Sequence, residues 1–194
     1  MTRSYTMRAR AESTAETRQR ILDAVNQLSY EQLSVQIALT DVAERARVSV
    51  QTVLRHFGTK DALFEAAWDL EVVRVRGERT APVGDVGAAV AVIVGSYERT
   101  GDWAVRLQAV EHTEDLARRV VTIGRKFHRA WVEEVFAPQL DGRADRAELV
   151  ELLTVATDVL TWKILRRDAR LSRRATSGHM HRLVRAVLSS AAGP

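Results

Sequence analysis

A chain of 194 residues with 46% hydrophobic content is long enough for one small module and a second, larger helical unit. It contains no cysteine, which excludes disulfides, thiolate metal sites and a cysteine nucleophile, and nothing in it requires an oxidising compartment. The formal net charge of +4, from 29 basic and 25 acidic residues, is too mild to mark a nucleic-acid binder by itself.

The chain opens on MTRSYTMRAR, which carries Arg3, Arg8 and Arg10 and no apolar run of the kind a secretory signal needs. Residues 1–14 are expected to form a flexible arm, either lying along phosphates or serving as a solubilising tail. A first helix is predicted from about Ala15 to Tyr30, with Ile21, Leu22, Val25 and Leu28 as its apolar stripe.

The segment from Thr40 to Phe64, TDVAERARVSVQTVLRHFGTKDALF, carries the most information. Val42, Ala43 and Ala46 share one helical face over about 39–46. Val48 falls in a turn, and Ser49 is a natural N-cap for a second short helix over about 50–56. In that helix Val53, Phe57 and Leu54 are assigned inward, leaving Gln51, Thr52, Arg55 and His56 outside. Gly58 and Thr59 interrupt the chain, and a longer helix starts at Lys60 with Leu63, Phe64, Ala67, Trp68 and Leu70 on its buried side. This is the pattern of a helix-turn-helix, spanning 38–57, whose second helix enters the major groove of double-stranded DNA.

That placement assigns chemistry to each exposed residue. Gln51 can pair bidentately with adenine, and Arg55 can address guanine or a phosphate. Thr40 and Thr52 offer short hydroxyls, and Ser49 both caps the helix and reaches the DNA backbone. His56 either bonds a phosphate or braces the corner beside Phe57. Lys60, at a helix N-terminus, suits a phosphate.

RTAPVGDVG, Arg79 to Gly87, is the clearest break in the chain. Beyond it, apolar-periodic stretches cover about 85–98, 102–111, 114–136, 144–169 and 173–190, without strand-like alternation. The expected fold class is therefore all-α with about nine helices: a DNA-binding domain over 15–75 and a C-terminal helical domain over 80–194. Tyr97, Trp103, Phe127, Trp131 and Trp162, with His112 and His128, are candidates for lining an apolar cavity, the alternative being ordinary core packing. Leu152, Ala156, Leu160, Leu183 and Val187 lie on broad stripes of the last two stretches, which either meet a second copy of the chain or close the protomer's own core.

The block Ala43-x-x-Ala46-x-Val48-Ser49, followed by Thr52, Arg55-His56-Phe57, Lys60 and Leu63, resembles the N-terminal domain of the TetR (tetracycline-repressor) family. Upstream, Thr17 to Val25 fits that family's first helix, so the resemblance covers roughly residues 15–75. It implies a homodimeric transcription regulator, usually a repressor, whose C-terminal domain binds a small-molecule effector and dimerises. Four positions depart from the pattern. Arg47 stands where the turn usually has glycine, at a cost of about 1 kcal/mol if left-handed, and is placed to approach DNA. Leu33 replaces the glycine after the first helix. Leu54 replaces an aromatic residue, and Val50 a basic one, Val50 being suited to a thymine methyl instead.

Catalysis is not expected. The histidines His56, His112, His128, His179 and His181 lack metal-ligand spacing, no nucleophile elbow or phosphate-binding loop occurs, and no cofactor or metal is implied. The longest apolar run, 87–95, is far short of the ~20 residues that span a bilayer, so no membrane partner and a cytoplasmic location are expected. The competing reading is a helical protein–protein adaptor with a degenerate DNA-binding domain, which would lack salt-dependent retention on DNA.

Overall fold

A computed structural model describes residues 2–32 and 36–190, with side chains from 12 onward. Among these residues the secondary structure is all helical, without strands: α1 (Thr2–Glu31), α2 (Leu39–Ala46), α3 (Val50–Phe57), α4 (Lys60–Glu78), α5 (Val86–Val110), α6 (Asp115–Val135), α7 (Ala137–Leu140, a single turn), α8 (Arg146–Ala156), α9 (Val159–Lys163) and α10 (Arg173–Ser190). The chain divides into two compact units, residues 1–74 and 75–194.

Two helix boundaries differ from the sequence expectation. α1 begins at Thr2, not Ala15, so the segment expected to be a flexible arm is helical. No glycine or proline precedes Gly58, and the alanines, arginines and glutamates of residues 8–20 are good helix formers, so nothing stops propagation toward the N-terminus. The side chains of Arg3, Arg8 and Arg10, and all of Leu33, lie outside the described residues. The stretches expected separately at 85–98 and 102–111 are one helix, α5: Gly101 does not take the left-handed conformation that would end it and is packed against Trp162 instead.

In the first unit α1 packs on α2 and α2 on α3. Ile21, Leu22, Val25 and Leu28 of α1 are buried, as are Ile37, Val42, Ala43, Ala46, Val53, Leu63, Phe64 and Ala67. A bidentate pair from Arg45 to Glu31, at 3.0 and 2.9 Å, ties the end of α1 to α2. The carboxyl group of Glu31 is held below its usual range by that hydrogen bond.

In the second unit α5 packs against α6, α9 and α10, and α8 lies against α6 and α10. Its core includes Val90, Ile93, Tyr97, Trp131, Phe136, Leu149, Leu153, Trp162, Met180 and Val184. Asp85 caps α5 by accepting the Ala88 N–H at 2.9 Å, and Asp158 caps α9 by accepting that of Leu160 at 2.8 Å. The stretch predicted over 144–169 is therefore split at Thr157-Asp158, and α9 continues into a wider π-helical turn over Ile164–Asp168.

Candidate functional site

Local chemistry fixes α3 at both ends. α2 stops in a Schellman arrangement: the Val48 N–H donates to the Ala43 carbonyl at 2.9 Å and the Arg47 N–H to that of Glu44 at 3.1 Å. Arg47 takes the left-handed conformation this requires, at φ 57 and ψ 48. Ser49 then accepts the Thr52 N–H at 3.1 Å, and its hydroxyl lies 2.9 Å from that of Thr52. Gly58, at φ 76, ends α3, and Thr59 caps α4 by accepting the Ala62 N–H at 3.1 Å.

These constraints leave one polar face outward. Val53 is buried and anchors α3. Thr40, Arg47, Ser49, Gln51 and Arg55 are exposed, while Val50, Thr52, His56 and Lys60 are half-buried. Among the described residues no hydrogen-bond or ion-pair partner holds the Gln51 amide or the guanidinium groups of Arg47 and Arg55. The Lys60 ammonium sits 5.6 Å from the Phe64 ring centroid, and the His56 ring 6.2 Å from that of Phe57. Leu54 is not inward as assigned. It is 39% exposed, because the single inward stripe of an eight-residue helix is filled by Val53 and half-buried Phe57. The Phe57 ring is covered by the Arg18 guanidinium at 4.8 Å.

Residues 30–67 match the family model described as bacterial regulatory proteins, tetR family. That match spans the helix-turn-helix and its flanks, from the end of α1 into α4. This chain is thus similar, over its helix-turn-helix unit, to the DNA-binding domain of those regulators. Its fold is similar to the crystal structure of a TetR-family transcriptional regulator from Streptomyces coelicolor: TM-score 0.67 and 20% identity, covering 92% of this chain and 97% of the other. No curated protein matches it significantly in sequence.

The second unit holds a cleft of about 290 Å³ lined by Arg76, Arg79, Phe127, Trp131, Glu134 and Val135, among others. Two of the predicted effector residues, Phe127 and Trp131, are in its wall. Tyr97 and His128 lie buried beside it: the Arg79 guanidinium stands 5.1 Å from the Tyr97 ring centroid, and the His128 ring stacks on Trp131 at 5.7 Å. Burial, reinforced by the charge of Arg79, drops the His128 imidazole to about 3, so it is neutral. Its Nε2 lies 3.1 Å from the Thr157 hydroxyl.

The remaining three predicted effector residues are elsewhere. His112 is exposed near Glu111, Trp103 is half-buried outside the cleft, and Trp162 is fully buried in the core, its Nε1 donating to Glu98 at 3.1 Å. An amphipathic pattern locates a side chain only to a helix face, and these three belong to faces directed away from the cleft. Arg76, Arg79 and Glu134 were missed. Arg79 opens a Pro- and Gly-containing break, where an arginine reads as solvated, and no local signal marks it as buried.

Of the five residues expected at a dimer interface, Leu152, Leu160 and Leu183 are exposed and Val187 is half-buried. Ala156 is not available: it belongs to the protomer core with Leu149, Val150 and Leu153, the inner stripe of α8. Val155 and Ile164, 64% and 58% exposed, join the outward set instead. Among the described residues no helix is long and apolar enough to cross a membrane.

Proposed function

We propose that this regulator is a homodimeric repressor, released from a palindromic operator by a small-molecule effector. The observation that carries the reading is the outward face of α3, where Gln51 and Arg55 stand unheld beside a helix whose start is capped by Ser49. On this reading Gln51, Thr52 and Val50 address base edges, while Thr40, Arg47, Ser49, His56 and Lys60 contact the phosphate backbone and Arg55 serves either role. Two copies of α3 then bind half-sites one helical turn apart, ~34–36 Å, or a multiple of it.

The effector reading rests on the cleft of the second unit. Arg76, in its wall, belongs to the last turn of α4, the helix whose first residue is Lys60. A ligand that touches Arg76 acts on the helix that leads into the DNA-binding unit, and a coupling of ~1–3 kcal/mol suffices for release. The exposed apolar side chains of α8, α9 and α10 are assigned to the contact with the second copy, and the protein to the cytoplasm, where its operator is.

Selection of bound sequences from a random DNA pool tests this in one step. The expected product is a palindrome with half-sites spaced by whole turns, and Gln51→Ala is expected to lose discrimination at one position per half-site. Recovery of no enriched sequence, with retention on DNA insensitive to salt, would overturn the reading and leave a helical adaptor in its place.

A further inference from the structure

The cleft contains a buried cation with no anion beside it. Arg79 is 9% exposed. Its Nε donates to the Ser96 hydroxyl at 3.1 Å, and its guanidinium faces the rings of Tyr97 and Phe127 at 5.1 and 5.4 Å. Among the described residues no carboxylate lies within ion-pair distance of it. Glu78 and Asp158 act only at longer range, and burial lowers the guanidinium from its usual value without discharging it.

Other arginines of this unit show the contrast. Arg125 pairs with Glu111, Arg166 with Glu98, Arg167 with Asp102 and Arg143 with Asp145, all at 2.8 or 2.9 Å and all more exposed than Arg79. A neutral hydroxyl and two ring faces offset only part of the cost of dehydrating a guanidinium, which is normally met by a carboxylate. Here the compensating carboxylate is missing at a guanidinium that lines the cleft.

The cleft supplies the rest of a binding site. The Arg76 guanidinium stands 5.3 Å from the same Phe127 ring, so two cations flank one aromatic wall. Trp131, Val135, Ala81 and Val83 form the apolar half of the lining, and the Trp131 indole is fixed by donating Nε1–H to the Arg79 carbonyl at 2.8 Å. A volume of about 290 Å³ admits one ring or two fused rings. Glu134 on the cleft wall disfavours a second negative charge on the ligand.

We propose that the cleft binds a small aromatic monocarboxylate, its carboxylate paired with Arg79 and Arg76 and its ring seated among Phe127, Trp131 and Val135. This rests on the reading of the cleft as the effector site and names the chemistry of the effector.

The test is calorimetric titration of the full-length protein with benzoate, 1-naphthoate and, as a neutral control, benzamide, each paired with a thermal shift. At least one carboxylate is expected to bind and raise Tm, with benzamide about tenfold or more weaker than benzoate. Arg79→Gln removes the preference for the anion. Arg76→Gln, at an exposed position, weakens both carboxylates severalfold, and Ala130→Phe, which fills the cleft from an exposed site, abolishes binding; these two decide the matter if Arg79→Gln fails to fold. Equal binding of benzoate and benzamide, binding of neither carboxylate at millimolar concentration, or full binding by Ala130→Phe would overturn the proposal. Retention on DNA is measured in parallel. Carboxylate binding that leaves DNA retention unchanged supports the ligand class and removes the effector role; release of DNA by benzamide but not by benzoate supports the effector role and overturns the ligand class.

Discussion

Gly101 and Trp162 touch without room for a single carbon between them: a methyl group built at Gly101 stands 2.4 Å from one ring carbon of Trp162 and 2.6 and 2.8 Å from two others. Trp162 has no exposed surface, and its indole nitrogen is tied to Glu98. Neither partner has a free direction in which to retreat. Gly101→Ala is therefore expected to destabilise the second unit by about 1–3 kcal/mol, the usual cost of overpacking, despite the better helix propensity of alanine. Gly124→Ala, also within a helix but with nothing within 4 Å, is expected to gain up to about 1 kcal/mol from the same propensity. Urea melts of the two variants should move in opposite directions.

Arg47 offers a way to separate folding from DNA binding. Its φ of 57 is a conformation that glycine adopts without strain, so Arg47→Gly is expected to stabilise the protein by about 1 kcal/mol. If the exposed guanidinium meets a phosphate, the same change lowers DNA affinity for all sequences alike and reduces the slope of log affinity against log salt by about 1. A higher Tm with an unchanged salt slope would remove Arg47 from the interface while leaving the strain argument intact.

The buried His128 predicts a pH dependence. In the unfolded chain its imidazole takes up a proton near its ordinary value of 6.5; in the fold, burial and the charge of Arg79 delay this to about 3. The unfolded state binds more protons across that interval, so stability falls as pH falls from 6.5 toward 3, by up to about 1.4 kcal/mol per pH unit. Glu31, Asp102 and Glu111, lowered by hydrogen bonds from Arg45, Arg167 and Arg125, add losses of the same sign at lower pH, and Asp158, raised by burial, opposes them. The His128 contribution is thus cleanest between pH 7 and 5.5. There the stability of His128→Gln is expected to vary less steeply than that of the parent; parallel curves would mean that the histidine is protonated alike in both states.

How much of this was readable in advance depends on how local the cause is. The cap at Ser49, the breaks at Gly58 and over 79–87 and the inward Val53 follow from neighbours within a few residues, and the helix-turn-helix is legible for that reason. The start of α1 is not legible in the same way, because an absent breaker is a weaker signal than a present one. Arg79, Tyr97, Phe127 and Trp131 come from three separate segments, and only the fold brings them together. Ala156 illustrates the limit of periodicity: Leu152 and Ala156 are four residues apart, yet one is 41% exposed and the other 5%, because the helices packed on α8 cover the two positions unequally.

The same distinction yields the last prediction, for the assembly. Leu160 and Leu183 are each 45% exposed on different elements, alongside Leu152, Val155 and Ile164. A set of large apolar side chains left outward on neighbouring helices calls for a partner surface. If the partner is a second copy, Leu183→Glu places a carboxylate in the contact without entering the protomer core. The variant is expected to keep its helical circular dichroism and sediment as a monomer where the parent sediments as a dimer, and to lose operator affinity steeply, since a single α3 then reads only half of the palindrome. Ala156→Glu is the control: it strikes the core and should unfold the second unit instead. Dimeric sedimentation of Leu183→Glu would place the contact on another face of the protein.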